Sequence, residues 1–479
     1  MQRLAIVLLI AAGVVGYAHA ADLATDKPPE KPKPKCFASV MDWLNTSASE
    51  CQMTYAGFTV YGTIDVGYGY NTAGIPIGQY NDKGIYYGIQ KNSNAARWSW
   101  APNAASASTV GVKMEEPLGG DWLLIGAAEL AYNPISLQLA NSPRSLTENN
   151  FNTAATATGS SDSSRAGQWD NSQGFIGVSN KTYGTLTVGR VNALSTDVTS
   201  AYDPVRSNAF SLIGFSGAFP GLGSSQLTRV NTAVVYRVEY GNFRVAGLSQ
   251  FGNGYALGNS SMGEYQAQIG ATFGGLSVDA VFSYAKDAVT LSSYFDSGLP
   301  AGFDPNSILK ATLSDNAGLL LGARYKWDQW EVYGGYTYAR LANPSDAFPG
   351  GFPTIAEGIF VPPGAVNATN YNVDRILNSF WTGAKYSISS NLSVAAGVYY
   401  QIQNNYLQAP STCTGSGAST NSNKCAGSQA AESFMITYKP VKRIDLYAGV
   451  MVSNVYGGLA SGFFKTQDID PTVGIRVRF

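Results

Sequence analysis

Segments that alternate apolar and polar side chains recur along this chain, and the connections between them alternate as well, long then short. The segments lie at roughly 58–70, 107–116, 121–132, 172–180, 185–191, 230–239, 242–250 and 264–273, then 276–285, 318–326, 329–338, 377–387, 391–402, 430–438, 444–453 and 471–479. Period-two alternation puts one set of side chains on each face of a strand. Short connections include 117–120, 181–184, 240–241, 274–275 and 327–328, all with tight-turn chemistry. Long ones span about 71–106, 133–171, 192–229, 286–317, 339–376 and 403–429 and are rich in Asn, Ser, Gly, Pro and Ala. A soluble sandwich has no reason to sort its loops this way. A transmembrane antiparallel β-barrel does, with short turns on the periplasmic side and long loops outside. Sixteen strands is an even count, and each segment is near the 9–11 residues that a tilted spanning strand needs. Two further strands inside a long loop, for instance near 353–361, would make eighteen.

The amino terminus carries an export signal: Arg3, an apolar run over 4–16, and the small-residue cleavage site Ala18-His19-Ala20. Cleavage is expected after Ala20. No stretch beyond it approaches the 18 apolar residues of a helical span, so a membrane passage requires a closed barrel. Residues 21–54 then form a Pro/Lys-rich and cysteine-bearing periplasmic extension, and 55–479 form the barrel.

Composition narrows the chemistry. The charged fraction is 13%, against about 25% in ordinary globular chains. Removal of residues 1–20 deletes Arg3 and no acid, moving the formal charge from −1 to −2. That near-neutrality argues against a nucleic-acid partner. The single histidine, His19, lies inside the signal. The mature chain therefore lacks Ser-His-Asp and Cys-His nucleophile pairs and His-based metal sites. No cofactor, no metal and no enzyme activity are expected. Carboxylate-only glycoside hydrolysis stays formally open, but it needs two acids about 5–10 Å apart in a cleft, and the inward acids offer no obvious pair.

Aromatics fall at both ends of the strands. Trp122, Phe243, Phe273, Trp330, Tyr386, Tyr438 and Phe479 stand at the turn end on the apolar face, and Tyr68, Tyr132, Tyr284, Tyr336 and Tyr400 near the loop end. Two girdles framing an apolar band suit a barrel in a bilayer.

These features resemble the general, sixteen-stranded trimeric porins of Gram-negative outer membranes. The resemblance rests on Gly57-Phe-Thr-Val-Tyr-Gly-Thr-Ile-Asp65, Val110-Gly-Val-Lys-Met-Glu-Glu-Pro-Leu-Gly-Gly120, Gly174-Phe-Ile-Gly-Val178, Tyr183-Gly-Thr-Leu-Thr-Val-Gly-Arg190 and the terminal Val473 to Phe479. The segment from Cys36 to Cys51 is similar to one in porins of alphaproteobacteria. In such porins the third loop folds into the barrel, and its acids face arginines on the opposite wall. Here that loop, 192–229, carries Asp197 and Asp203 with Arg206 close behind. By parity Lys113, Arg237, Arg244, Arg324, Lys385 and Glu129 point into the lumen. Arg190 shares parity with the lipid-facing Leu186 and Val188. It stands at a strand end, where a bulge can turn it inward, and the family likeness of its Gly-Arg pair implies a pore role. Opposed walls of opposite charge would set up a transverse field. Asp203-Pro204 and the residues to Phe210 suit a short helical turn, with Phe210, Phe215 and Phe219 able to pin the loop to the wall or to pack between subunits.

On this topology Cys36 and Cys51 precede the first strand on the periplasmic side, while Cys413 and Cys425 share one external loop. A band about 25 Å tall separates the two groups, beyond disulfide reach. The expected pairs are Cys36–Cys51 and Cys413–Cys425. The expected function is passive diffusion of ions and small hydrophilic solutes through a water-filled channel. The alternatives are a sugar- or anion-selective channel, or an adhesive or hydrolytic barrel. Expected partners are outer-membrane lipid and lipopolysaccharide, two further copies in a homotrimer, and the barrel-assembly machinery, which would read Phe479 as a C-terminal assembly signal.

Overall fold

The computed structural model describes residues 36, 38–73, 89, 96–135, 137, 170–215, 229–250, 263–292, 310–343, 354–356, 359–361, 366–368, 371–406, 425–460 and 465–479. Sixteen strands form its wall: β1 (Phe58–Asn71), β2 (Ser108–Gly119), β3 (Trp122–Tyr132), β4 (Asp170–Asn180), β5 (Gly184–Asn192), β6 (Arg229–Tyr240), β7 (Phe243–Gln250) and β8 (Gly263–Phe273). The second half adds β9 (Leu276–Ser292), β10 (Lys310–Trp327), β11 (Trp330–Ala342), β12 (Arg375–Ser387), β13 (Leu392–Gln403), β14 (Gly427–Val441), β15 (Ile444–Gly457) and β16 (Thr472–Arg478). Each pairs antiparallel with the next, and β16 returns to β1 over Thr63↔Arg478 to Gly69↔Thr472. Closure leaves no wall strand with an unpaired edge, which is what hydrocarbon demands of a backbone.

Alternation in sequence becomes alternation in exposure. Phe58, Val60, Ile64 and Tyr68 of β1 stand outside, between the inward Thr59, Asp65 and Asn71, which are buried. Outward aromatics meet across turns at the periplasmic end: Phe243 with Phe273, Trp330 with Tyr386, and Trp122 with Tyr183. Tyr132 departs from the expected loop-end girdle. Opposite Glu129 and Leu130 the neighbouring strand β4 bulges at Ser172 while β3 keeps its own alternation, and Tyr132 at the end of β3 is buried.

The closing seam depends on one close approach. Gly62 and Phe479 exchange both backbone hydrogen bonds at 3.0 Å. A Cβ on Gly62 would stand 2.4 Å from the Phe479 ring and 2.5 Å from the Thr109 carbonyl. Gly62→Val is expected to destabilise closure by about 1–3 kcal/mol, the usual cost of overpacking. A lowered unfolding temperature on heat-modifiability gels would show it.

Three further details refine the sequence reading. Residues 354–356 and 359–361 form a separate two-stranded sheet, so the wall stays at sixteen strands. Arg97–Pro102, expected inside a loop, pairs with the upper half of β1. Strands β9 and β10 run on to 292 and from 310, past a bulge between Ala285 and Ala288 that broke the parity on which their ends were judged.

Ahead of β1, the helix α1 (Val40–Asn45) begins at Ser39, whose hydroxyl accepts from the Asp42 amide. The Cys36–Cys51 disulfide closes this segment, and its dock is the β14–β15 turn. Arg443, 1% exposed, donates to the carbonyls of Trp43 and Cys51 at 2.7 and 2.9 Å. Its guanidinium also covers the Trp43 ring at 4.4 Å. Lys442 pairs with Glu50 at 2.9 Å, and Lys442 and Ser47 draw the Glu50 carboxyl down to about 2. A lowered carboxylate pKa gives a contribution that is whole above the ordinary carboxylate range and is lost progressively as pH falls toward the lowered value, so this tie persists in mildly acid medium. Arg443→Met removes a charged donor from carbonyls that were bonded to it, at about 2–3 kcal/mol. Faster proteolysis within 36–55 with unchanged conductance is the expected result. Cys425 is also disulfide-bonded, at the opposite, loop end of the barrel; Cys413 lies outside the described residues.

Candidate functional site

The connection from β5 to β6 enters the barrel. Helix α2 (Leu194–Tyr202) follows Ala193, and α3 (Leu212–Phe215) comes after an irregular stretch; 216–228 lie outside the described residues. The helix α2 precedes Asp203, and the turn that the sequence suggested after Asp203 follows over 204–207. Its apolar side (Leu194, Val198, Tyr202) and Val205, Ala209, Phe210 and Leu212 join one buried cluster with inward wall residues including Val281, Leu320, Trp381, Tyr399, Met435 and Met451. Burying a large side chain of this kind stabilises by about 1.5–3 kcal/mol. The barrel thus has an interior core, on the side where the loop lies against the wall.

Glycines make room for that contact. A Cβ on Gly322 would meet the Tyr202 ring at 2.5 Å, one on Gly383 the Pro204 ring at 2.6 Å, and one on Gly449 the Phe210 ring at 2.7 Å. Polar ties fix the register. Trp381 Nε1 donates to the Tyr202 carbonyl at 2.9 Å, and the Ser433 hydroxyl donates to the Phe210 carbonyl. The Tyr202 hydroxyl meets Asp279 at 2.5 Å and accepts from Arg244 at 2.7 Å.

Asp203 is the deepest of these ties. It is fully buried, accepts from the Tyr399 hydroxyl and the Ser207 amide at 2.6 Å each, and caps the turn that follows α2. Burial pushes its carboxyl up, opposed by hydrogen bonds that include the Tyr399 hydroxyl and the Ser207 amide. Its expected place among acids lining a constriction is therefore corrected: water and passing ions do not reach it. A loop acid next to Pro204 gives no sign in sequence of whether it faces the wall or the passage.

The Gram-negative porin family matches residues 7–458, nearly the whole chain. This chain belongs to that family. Solved structures of the same fold include the anion-selective porin from Comamonas acidovorans, 14% identical, covering 88% of this chain and 99% of that one with a TM-score of 0.56. A loop-deletion form of OmpT, an outer membrane protein of Vibrio cholerae, is 14% identical over 88% of this chain and 100% of its own, with a TM-score of 0.55. A trimer form of OmpT matches at 14% identity over 88% and 99%, with a TM-score of 0.52. At such identities the likeness speaks for the fold. No curated protein matches the sequence.

The remaining lumenal charges of the porin are mostly held in contact pairs. Arg237 reaches Asp197 on α2 at 2.8 Å, Arg244 reaches Asp279 at 2.5 Å, Lys385 reaches Glu331 at 3.4 Å, and Lys113 reaches Glu115 at 3.0 Å. A separation of opposite charges across the passage is thus replaced, at these residues, by pairs touching on one wall. Their fields largely cancel at a distance, so they add little transverse field. Glu129 accepts from Ser172 on the neighbouring strand. Arg190 stands opposite a bulge of β6 at residues 231–232, pairs with Gly174 on its other side, is half-buried, and makes interactions of its own.

Two lumenal cations differ. Arg206 is exposed on the loop at a left-handed backbone position, φ 61°, within electrostatic reach of Tyr333 and Lys439. Arg324, opposite Ser277 and Tyr333 in the ladders, has a buried Nε without a hydrogen-bond partner. Neither makes an ion pair among the described residues. Asp279 and Glu331, the acids that neutralise Arg244 and Lys385, were missed as site residues. Both have inward parity, and Glu331 lies directly across from Lys385; only the register, which sequence did not supply, shows the pairing.

Proposed function

We propose that this outer-membrane porin is a passive diffusion channel for ions and small hydrophilic solutes, narrowed by the loop carrying α2 and biased toward anions. The observation that carries the reading is the docked loop itself. Its apolar face is spent on the wall, while Arg206 is left in water inside the barrel. The bias follows from pairing. Asp197, Asp279 and Glu331 each touch a cation, whereas Arg206 and Arg324 touch no acid among the described residues. An unpaired cation in a low-dielectric tube raises the local anion concentration, and salt weakens the effect.

Passage down a gradient needs no cofactor and no chemical step. Trimeric assembly is part of the reading, supported by the family and by the trimer form of the Vibrio cholerae OmpT structure. So are lipid and lipopolysaccharide around the wall, an assembly role for Phe479, and export by residues 1–20. Swelling of proteoliposomes in isotonic sugars of rising mass tests the diffusion reading. Rates should fall smoothly with solute size, without saturation. Saturable uptake of one sugar would favour a substrate-selective channel, and no swelling with folded protein would overturn the reading.

A further inference from the structure

Inward charge is uneven around the periplasmic girdle. The even-numbered wall strands all descend to that end, and on four of them a cation adjoins an outward aromatic. Arg324 precedes Tyr325 on β10, Lys385 precedes Tyr386 on β12, Lys439 follows Tyr438 on β14, and Arg478 precedes Phe479 at the end of β16. Neighbours along a strand face opposite ways, so these cations share the lumenal face at one height. Alternate strands lie about 10 Å apart across a sheet, so one small solute can lie between two of the cations. On β6 and β8 the same step reads Glu239 before Tyr240 and Thr272 before Phe273, and the arc of cations ends.

Acids do not neutralise this arc. Lys439 is exposed and makes no ion pair among the described residues. It lies within electrostatic reach of Lys385, Arg478 and Asp445 on the wall and of Arg206 on the loop. Arg206 and Arg324 both lie within reach of Tyr333 on β11. With Arg476, six cations therefore share two acids: Glu331, which Lys385 touches, and Asp445, buried between Arg476 and Arg478. Across the lumen the balance is reversed, with Arg237 and Arg244 set among Asp197, Glu239 and Asp279. A concave surface of one sign concentrates the opposite charge. The gain rises with solute valence: at 4 Å in water one cation raises the occupancy of a univalent anion about fivefold and of a divalent one about 30-fold. Guanidinium forks such as those of Arg324 and Arg478 also match the oxygens of a phosphate group.

We infer that this arc is a binding station for small phosphorylated solutes at the periplasmic end of the passage. The inference rests on the channel reading above and names the class of anion that the passage holds best. Inorganic pyrophosphate, titrated by calorimetry into the purified protein at low salt, should bind saturably at one site per barrel. Lys439→Gln should weaken that binding about tenfold, whereas Lys439→Arg should keep it near the native value. Lys181→Gln, in the β4–β5 turn outside the arc, should leave it unchanged. Chloride current through the wild type should fall as pyrophosphate fills the site. Absence of saturable binding, or equal affinity in the wild type and Lys439→Gln, would overturn the inference. The channel reading would survive that result, because openings are recorded without pyrophosphate. Folded protein that binds pyrophosphate yet passes no current would overturn the channel reading and leave the site in place.

Discussion

Asp203→Leu is expected to free the inward loop and enlarge the pore. The substitution strands the Tyr399 hydroxyl, itself fully buried, and the Ser207 amide. A buried polar group left without its partner costs about 1–3 kcal/mol. Two such groups rival the burial of one large side chain, so the segment from Pro204 to Phe210 should leave its glycine slots part of the time. The sixteen-strand ladder does not use Asp203, and barrel unfolding should change little. Single-channel recordings should then show higher conductance and more current noise. Asp203→Asn is the discriminating control. Because burial favours the neutral carboxyl, an amide should keep the loop docked with nearly native conductance. Equal effects of Asn and Leu would mean that charge, and not anchorage, is what Asp203 supplies.

Reversing the unpaired charge is expected to have the largest effect on selectivity. In Arg206→Glu with Arg324→Gln, both unpaired guanidinium groups disappear and an acid stands in the water at the loop. A unit charge at 4 Å in water is worth about 1 kcal/mol to a passing ion, or about fivefold in occupancy. The anion-to-cation permeability ratio should therefore fall by about tenfold, and the reversal potential in a salt gradient should change sign. Arg237→Gln tests the pairing logic differently. It exposes Asp197 without touching Arg206 and should move selectivity toward cations by less. The shifts should shrink as ionic strength rises, since the Debye length is about 8 Å at physiological salt.

The wall was largely legible from sequence because its rules are local. Alternation such as that of Phe58, Val60 and Ile64 needs only neighbours two apart, and turn chemistry marks where each hairpin ends. Legibility failed where a bulge reset the parity, as beyond Ala285. The interior was less readable. Parity found Arg237, Arg244, Arg324 and Lys385, but the acid meeting each pairable cation depends on register and on the loop's path. Asp203 and Asp197 look alike in sequence, yet one is a buried tie and the other contacts Arg237. Nothing local announced that Gly322, Gly383 and Gly449 were slots for the loop, because the matching rings lie 120 to 239 positions away.

The central claim is an open, water-filled passage bordered by an unpaired cationic loop. Planar-bilayer recording of the purified protein under a tenfold potassium chloride gradient tests it most directly. The account predicts ohmic openings, with a reversal potential whose sign marks chloride as the more permeant ion. Folded protein that stays electrically silent would contradict the channel, and a potassium-favouring reversal potential would contradict the role given to Arg206 and Arg324.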